Sequence, residues 1–200
     1  MSDLTIECSE ASFISDFNDD CFSYNFDISN GSPISTENCI VVHYNINSIL
    51  APGKLDQLTD YCRILNINVL IITESKLDQT IPINLITIPG YHEPIRRDRD
   101  INGRYGGGVL MYIADNLVFQ QKQNLQSQFY EHIWTDVRLD GNVFAINALY
   151  RPSNESLADH QLFLDAAEDI LSKLNNYSAA NYKIISSDLN LVILIANVPF

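Results

Sequence analysis

Several things this chain has little of narrow what it can be. It has no apolar run near the roughly 18 residues that a membrane-spanning helix needs, and its first residues carry neither a basic flank nor an apolar core of signal-peptide type. Its four cysteines, Cys8, Cys21, Cys39 and Cys62, are scattered without C-x-x-C spacing, which disfavours a zinc site or a disulfide framework. The expectation is an intracellular protein with reduced thiols. Basic charge is scarce: 12 Lys and Arg stand against 25 Asp and Glu, for a net charge of -13. Such a balance excludes a surface wholly given to nucleic acid or anionic lipid, so any basic footprint must be local. Lys and Arg are missing altogether from residues 1–40, which hold eight acids, so more than half of the net charge belongs to that segment.

What is present suffices for a folded domain, with 46% hydrophobic and 10% aromatic residues in 200. Residues 1–38 mix Ser, Asn, Asp and isolated Phe up to Asn30-Gly31-Ser32-Pro33, and read as an acidic, disordered leader. The β-branched run Cys39 to Asn45 predicts a strand. Leu55, Leu58, Cys62 and Leu65 recur at helical spacing after Pro52-Gly53, and Val69 to Thr73 is a continuous apolar strand of the kind covered on both faces. Residues 75–106 are rich in loop signals. Further strands are expected at 109–113, 133–139, 143–150 and 182–186, with a second amphipathic helix marked by Leu162, Phe163, Ala166, Ala167, Ile170, Leu171 and Leu174. The helices separate groups of strands, a pattern that suits an α/β layered sandwich better than a doubly wound parallel sheet.

Chemistry concentrates at strand ends. Asn45, Glu74, Tyr150 and the pair Asp188 and Asn190 each fall at or just past a predicted strand, where side chains leave a rigid sheet for a common rim. A carboxylate ending an apolar strand, as Glu74 does, calls for water, a partner or a cation. Oxygen ligands without a Cys or His cluster favour Mg²⁺ or Mn²⁺, and phosphoester hydrolysis is a natural use of such a site. Each signal has a plainer reading. Glu74 reads also as a solvated turn residue, Asp188 and Asn190 as an Asx turn, and Tyr150-Arg151-Pro152 as a strand exit. Arg96, Arg97, Arg99 and Arg104, offset by Asp98 and Asp100, make a locally basic loop that is either a phosphate-backbone contact or merely solvated. Gly106-Gly107-Gly108 enters a strand and lacks a following Lys-Ser/Thr, so it is no P-loop. His43 reads as a packed strand histidine and Trp134 as core.

Taken in order, the blocks Asn45-Ile46-Asn47-Ser48-Ile49, Leu70-Ile71-Ile72-Thr73-Glu74-Ser75-Lys76-Leu77, Ile88-Pro89-Gly90-Tyr91 with Arg96-Arg97-Asp98-Arg99, Gly106-Gly107-Gly108-Val109, Tyr150-Arg151-Pro152 and Ser187-Asp188-Leu189-Asn190 resemble the endonuclease/exonuclease/phosphatase superfamily. Within it they look most like the apurinic-type endonuclease domain of non-LTR retrotransposons, in the jockey-like or CR-type group. The resemblance implies a four-layer αββα sandwich of two mixed sheets, deoxyribonuclease-I-like, over residues 39–191, with 192–200 an apolar tail outside the pattern. It implies a Mg²⁺-dependent (or Mn²⁺-dependent) DNA-nicking enzyme, nuclear in action and normally linked to a reverse transcriptase. Glu74 and Asn47 would serve the metal, Asn45 the active-site network, Tyr150 the scissile phosphate, Asp188 the attacking water, and Asn190 the phosphate again. The chain departs from the pattern at Ser187, where the family has Gly, and at Leu189, where Phe is more frequent. Ser153 stands near the Asn of the repair-type relatives. No Asp, Glu or His follows Asn190, whereas the family ends in a further Asp and a Ser-Asp-His block. The second sheet and the catalytic domain are therefore expected to be incomplete and activity impaired. The alternatives are a non-catalytic remnant that binds DNA or a partner chain, and another phosphoesterase of the same superfamily.

Overall fold

The computed structural model describes residues 21–26, 39–99, 106–128, 130–151, 157–187 and 193–196; side chains in 21–26, 157–160 and 193–196 are outside that description. Among the described residues ten strands and two α-helices run β1 (Cys21–Phe26), β2 (Cys39–Asn45), α1 (Lys54–Leu65), β3 (Val69–Thr73), β4 (Ile95–Arg97), β5 (Val109–Ile113), β6 (Val118–Gln121), β7 (His132–Leu139), β8 (Asn142–Leu149), α2 (Leu157–Asn175), β9 (Tyr182–Ser187) and β10 (Ile193–Ala196).

The strands form two five-stranded mixed sheets, ordered β1-β2-β3-β5-β4 (sheet 1) and β10-β9-β8-β7-β6 (sheet 2). Each holds one parallel pair, β2 with β3 and β8 with β9, and every other pairing is antiparallel. Parallel neighbours need a crossover, and α1 and α2 supply the two. Alternation along the strands sorts the layers. Val41, Ile71, Met111 and Val109 of sheet 1 meet Ile133, Val137, Phe144, Ile146 and Ile184 of sheet 2 in a core between the sheets. On the outer face of sheet 1, Val42, Leu70, Ile72, Leu110 and Tyr112 pack under Leu58 and Cys62 of α1. Outside sheet 2, Leu149 packs with Phe163, Ala166 and Ile170 of α2, and Trp134 and Ala145 with Leu174. The result is the four-layer αββα sandwich.

Four strands were not expected. β4 and β6 are short edge strands, and the exposure of Val118 and Gln120 on β6 leaves little hydrophobic pattern to read. The leader expectation does not hold at residues 21–26, where Phe22, Tyr24 and Phe26 alternate with Cys21, Ser23 and Asn25 and the segment pairs with β2 as β1. Residues 1–20 and 27–38 lie outside the described residues. β10, within the expected apolar tail, pairs with β9 and occupies the edge of sheet 2. Among the described residues no helix is long and apolar enough to cross a membrane.

Candidate active site

The two parallel pairs run out at the same end of the sandwich, the carboxyl end of parallel strands where α/β sheets generally place their ligands. Two contacts between the sheets fix this juxtaposition. The Tyr150 hydroxyl, just past β8, donates to Glu74 Oε1, just past β3, at 3.4 Å. Below them His43 of β2 bridges Thr73 Oγ1 (3.0 Å from Nε2) and Ser186 Oγ of β9 (2.9 Å from Nδ1). Burial holds the His43 pKa down at about 4, so the ring is neutral at pH 7 and serves as a polar tie between the sheets.

Glu74 sits in a loop whose backbone is left-handed at non-glycine positions, with φ of 53° at Glu74 and 52° at Lys76, and 49° and 88° at the facing Asn47 and Ser48. Each such residue costs on the order of 1–3 kcal/mol and persists only where its surroundings over-determine it. Here they do. The Ser48 and Ile49 N–H groups donate to the Glu74 and Ser75 carbonyls at 2.8 and 3.1 Å, and the Lys76 and Ser75 N–H groups donate to the Gly107 and Gly108 carbonyls at 2.8 and 3.3 Å. The loops after β2 and β3 and the lead into β5 are thereby sewn into one rim. The glycines permit the close approach: a Cβ on Gly108 would lie 2.5 Å from Ser75 Oγ, and one on Gly107 2.8 Å from the Arg99 guanidinium. This gives the Gly-rich run a steric role that has nothing to do with cradling phosphate.

Asn45 ends β2 and accepts the Asn47 N–H on its Oδ1 at 3.2 Å. Asn47 Oδ1 accepts from the Lys76 ammonium, which also lies 3.9 Å from Glu74 Oε2. Among the described residues no three His, Cys, Asp or Glu side chains converge as a metal cluster. Yet one carboxylate and one carboxamide oxygen, both hard donors, already draw a cation between them. That pair fits a divalent ion such as Mg²⁺ or Mn²⁺ once Lys76 gives way.

The basic loop is mostly turned inward. Arg96 pairs with Asp98 at 2.6 Å and donates to the carbonyls of Ile81, at 2.7 Å, and Asp78. Arg99 Nε pairs with Glu131 Oε1 at 2.6 Å, and its guanidinium stands 5.2 Å from the Tyr150 ring centre. Arg96 and Arg99, read from the sequence as phosphate-backbone contacts or solvated charges, are engaged by the protein's own carbonyls and carboxylates. Arg97 remains exposed at the end of β4. Arg104, Asp188 and Asn190 lie outside the described residues. Sequence reasoning missed Glu131 and Lys76; the only available signal for Lys76 was its place two residues after Glu74.

No family model and no curated protein matches the chain. Solved structures do. A mannosyl-6-phosphatase of Bacteroides thetaiotaomicron superposes with a TM-score of 0.55 at 14% identity, covering 76% of this chain and 65% of that one. The fold is deoxyribonuclease-I-like. The human Nocturnin catalytic domain with bound sulfate anion (TM-score 0.53, 14% identity, 76% of this chain and 63% of that) and a 3'-5' exonuclease from Neisseria meningitidis (0.51, 14%, 76% and 57%) have the same architecture. At such identity the likeness is one of fold. The chain spans less than two thirds of the length of each of these structures.

Proposed function

We propose that this chain is a phosphodiester-cleaving domain of the retrotransposon endonuclease type, acting on DNA with Mg²⁺ or Mn²⁺. The observation that carries the reading is the meeting of Tyr150 and Glu74 across the two sheets, at the shared end of both parallel pairs. It sets a hydroxyl donor beside a hard carboxylate on one rigid rim. Glu74 and Asn47 would hold the cation, and Asn45 holds Asn47 through the bond to its N–H. When bound there, a divalent ion would supply positive charge against the negative charge growing on the phosphate and leaving oxygens. Tyr150 donates to the scissile phosphate, and its rigid support means little reorganisation as charge develops. Asp188 orients and deprotonates the attacking water, and Asn190 contacts the phosphate; both roles rest on the order of the sequence blocks. Arg97 and Arg104 take the DNA backbone. The same reading places the domain beside a reverse transcriptase and its action in the nucleus.

A second reading, a non-catalytic domain that binds DNA or a partner chain, is favoured by Lys76, whose ammonium already sits between Glu74 and Asn47. Nicking of supercoiled plasmid in Mg²⁺ or Mn²⁺, by the chain and by Glu74→Ala and Asp188→Ala, separates the two. The catalytic reading expects nicking that falls by on the order of 10² or more in both variants. DNA retardation without nicking by any of them selects the binding domain instead. Release of phosphate from a phosphomonoester without nicking selects another phosphoesterase of this fold.

A further inference from the structure

Arg99 and Glu131 are a poor choice of residues to bury for stability alone. Their side chains are only 12% and 5% exposed, and removing two charges from water offsets much of what their 2.6 Å contact returns. What they surround is Tyr150. Glu131 accepts the Tyr150 N–H on its backbone carbonyl at 3.0 Å and holds the Arg99 guanidinium on its carboxylate. That guanidinium stands over the Tyr150 ring, 5.2 Å from its centre, and rests against the bare α-carbon of Gly107. The Tyr150 hydroxyl in turn donates to Glu74 Oε1 at 3.4 Å. Burial disfavours the Arg99 charge, but the neighbouring Glu131 carboxylate and Tyr150 together outweigh it and Arg99 stays cationic.

We propose that Arg99, held by Glu131, is a positioning residue for Tyr150: it fixes the place of the ring, and with it that of the hydroxyl, without touching substrate. The proposal rests on the reading of Tyr150 as the phosphate-contacting group. It explains why an arginine in a basic loop is spent inside the protein. It also gives Gly107 a purpose, since a side chain there would push the guanidinium off the ring.

The full chain is labelled with 13Cζ-tyrosine, and the Tyr150 signal is identified as the one lost in Tyr150→Phe. Arg99→Met and Glu131→Gln should each move that signal while leaving most other tyrosine signals in place. An unmoved Tyr150 signal in either folded variant overturns the proposal, and Glu131→Gln, which keeps shape and removes only charge, decides the matter if Arg99→Met does not fold. Where the chain nicks DNA, Arg99→Met should lose about 10- to 100-fold in kcat with KM little changed. The double variant Arg99→Met/Tyr150→Phe should be no slower than Tyr150→Phe; losses that multiply would show that Arg99 acts elsewhere and sink the proposal. A chain that does not nick at all defeats the proposed function, and the tyrosine signal then decides the role of Arg99 by itself.

Discussion

Sheets 1 and 2 share a wiring diagram, with one parallel pair crossed by a helix and antiparallel strands on either side, yet the layers behind them differ in chemistry. Under α1 the outer face of sheet 1 is mostly hydrocarbon, built on Val42, Leu70, Ile72 and Leu110 with Tyr44 and Tyr112, and Lys54 of the helix donates to the Tyr44 hydroxyl at 3.3 Å. Under α2 the outer face of sheet 2 carries His132, Trp134, Asp136 and Asn147. His132 accepts the Ser127 N–H at 2.9 Å and meets Asn147 Oδ1 at 3.0 Å; Asp136 binds Lys122 at 3.2 Å and Tyr177 at 2.5 Å. Trp134 Nε1, Asn147 Nδ2 and Asp136 Oδ1 are buried on this face without a hydrogen-bond partner among the described residues. The lesson is that one topology tolerates two ways of attaching a helix. One depends mainly on packing, whereas the other depends on a polar network whose members penalise one another's loss.

The largest effect should come from breaking the hydrocarbon layer. Ile72→Ala, at a fully buried position, is expected to lower stability by about 2–5 kcal/mol, against about 1–3 kcal/mol for Asn147→Ala, which leaves His132 short of a partner. Urea melts of both variants check this, and an Asn147→Ala loss as large as that of Ile72→Ala would erase the distinction. Next comes pH. His132 and His43 both have pKa values pressed down to about 4 by burial, so the unfolded chain, with histidines near 6.5, binds more protons than the fold between those values. Their stabilisation is complete above pH 6.5 and fades as pH falls toward 4, by on the order of 3 kcal/mol for each. Stability measured from pH 7 to 4 should therefore fall less steeply in His132→Asn, and an unchanged slope would mean that the polar layer under α2 does not titrate. The smallest effect is reserved for the outer surface of α1. Arg63 and Asp60 pair at 3.0 Å with side chains 76% and 62% exposed, and Asp60→Ala should shift stability by no more than about 0.5 kcal/mol.

How much of this was legible depended on whether a segment announced its surroundings in its own composition. Val69 to Thr73 did, because five apolar or β-branched residues in a row have no stable place except a covered strand, and β3 has those bounds. β4 did not, since Ile95-Arg96-Arg97 becomes a strand only by pairing with β5. In the site, Asn45, Glu74 and Tyr150 could be nominated as strand ends, and the structure brings Glu74 and Tyr150 into contact. Arg99 could be nominated only as part of a basic loop. Its inward turn depends on Glu131, thirty-two residues away, on the Tyr150 ring, and on the missing side chain of Gly107.

The sequence by itself determined the alternation of two strand groups with two helices, because hydrophobic period and run length are local properties that each segment carries with it. It also determined which polar residues stand at strand ends. Only the tertiary structure decided which of those ends meet, that Lys76 lies between Glu74 and Asn47, and that of three described loop arginines two serve the protein's interior. A charge is solvated or buried according to what is brought beside it, and that is settled when the sheets close on one another.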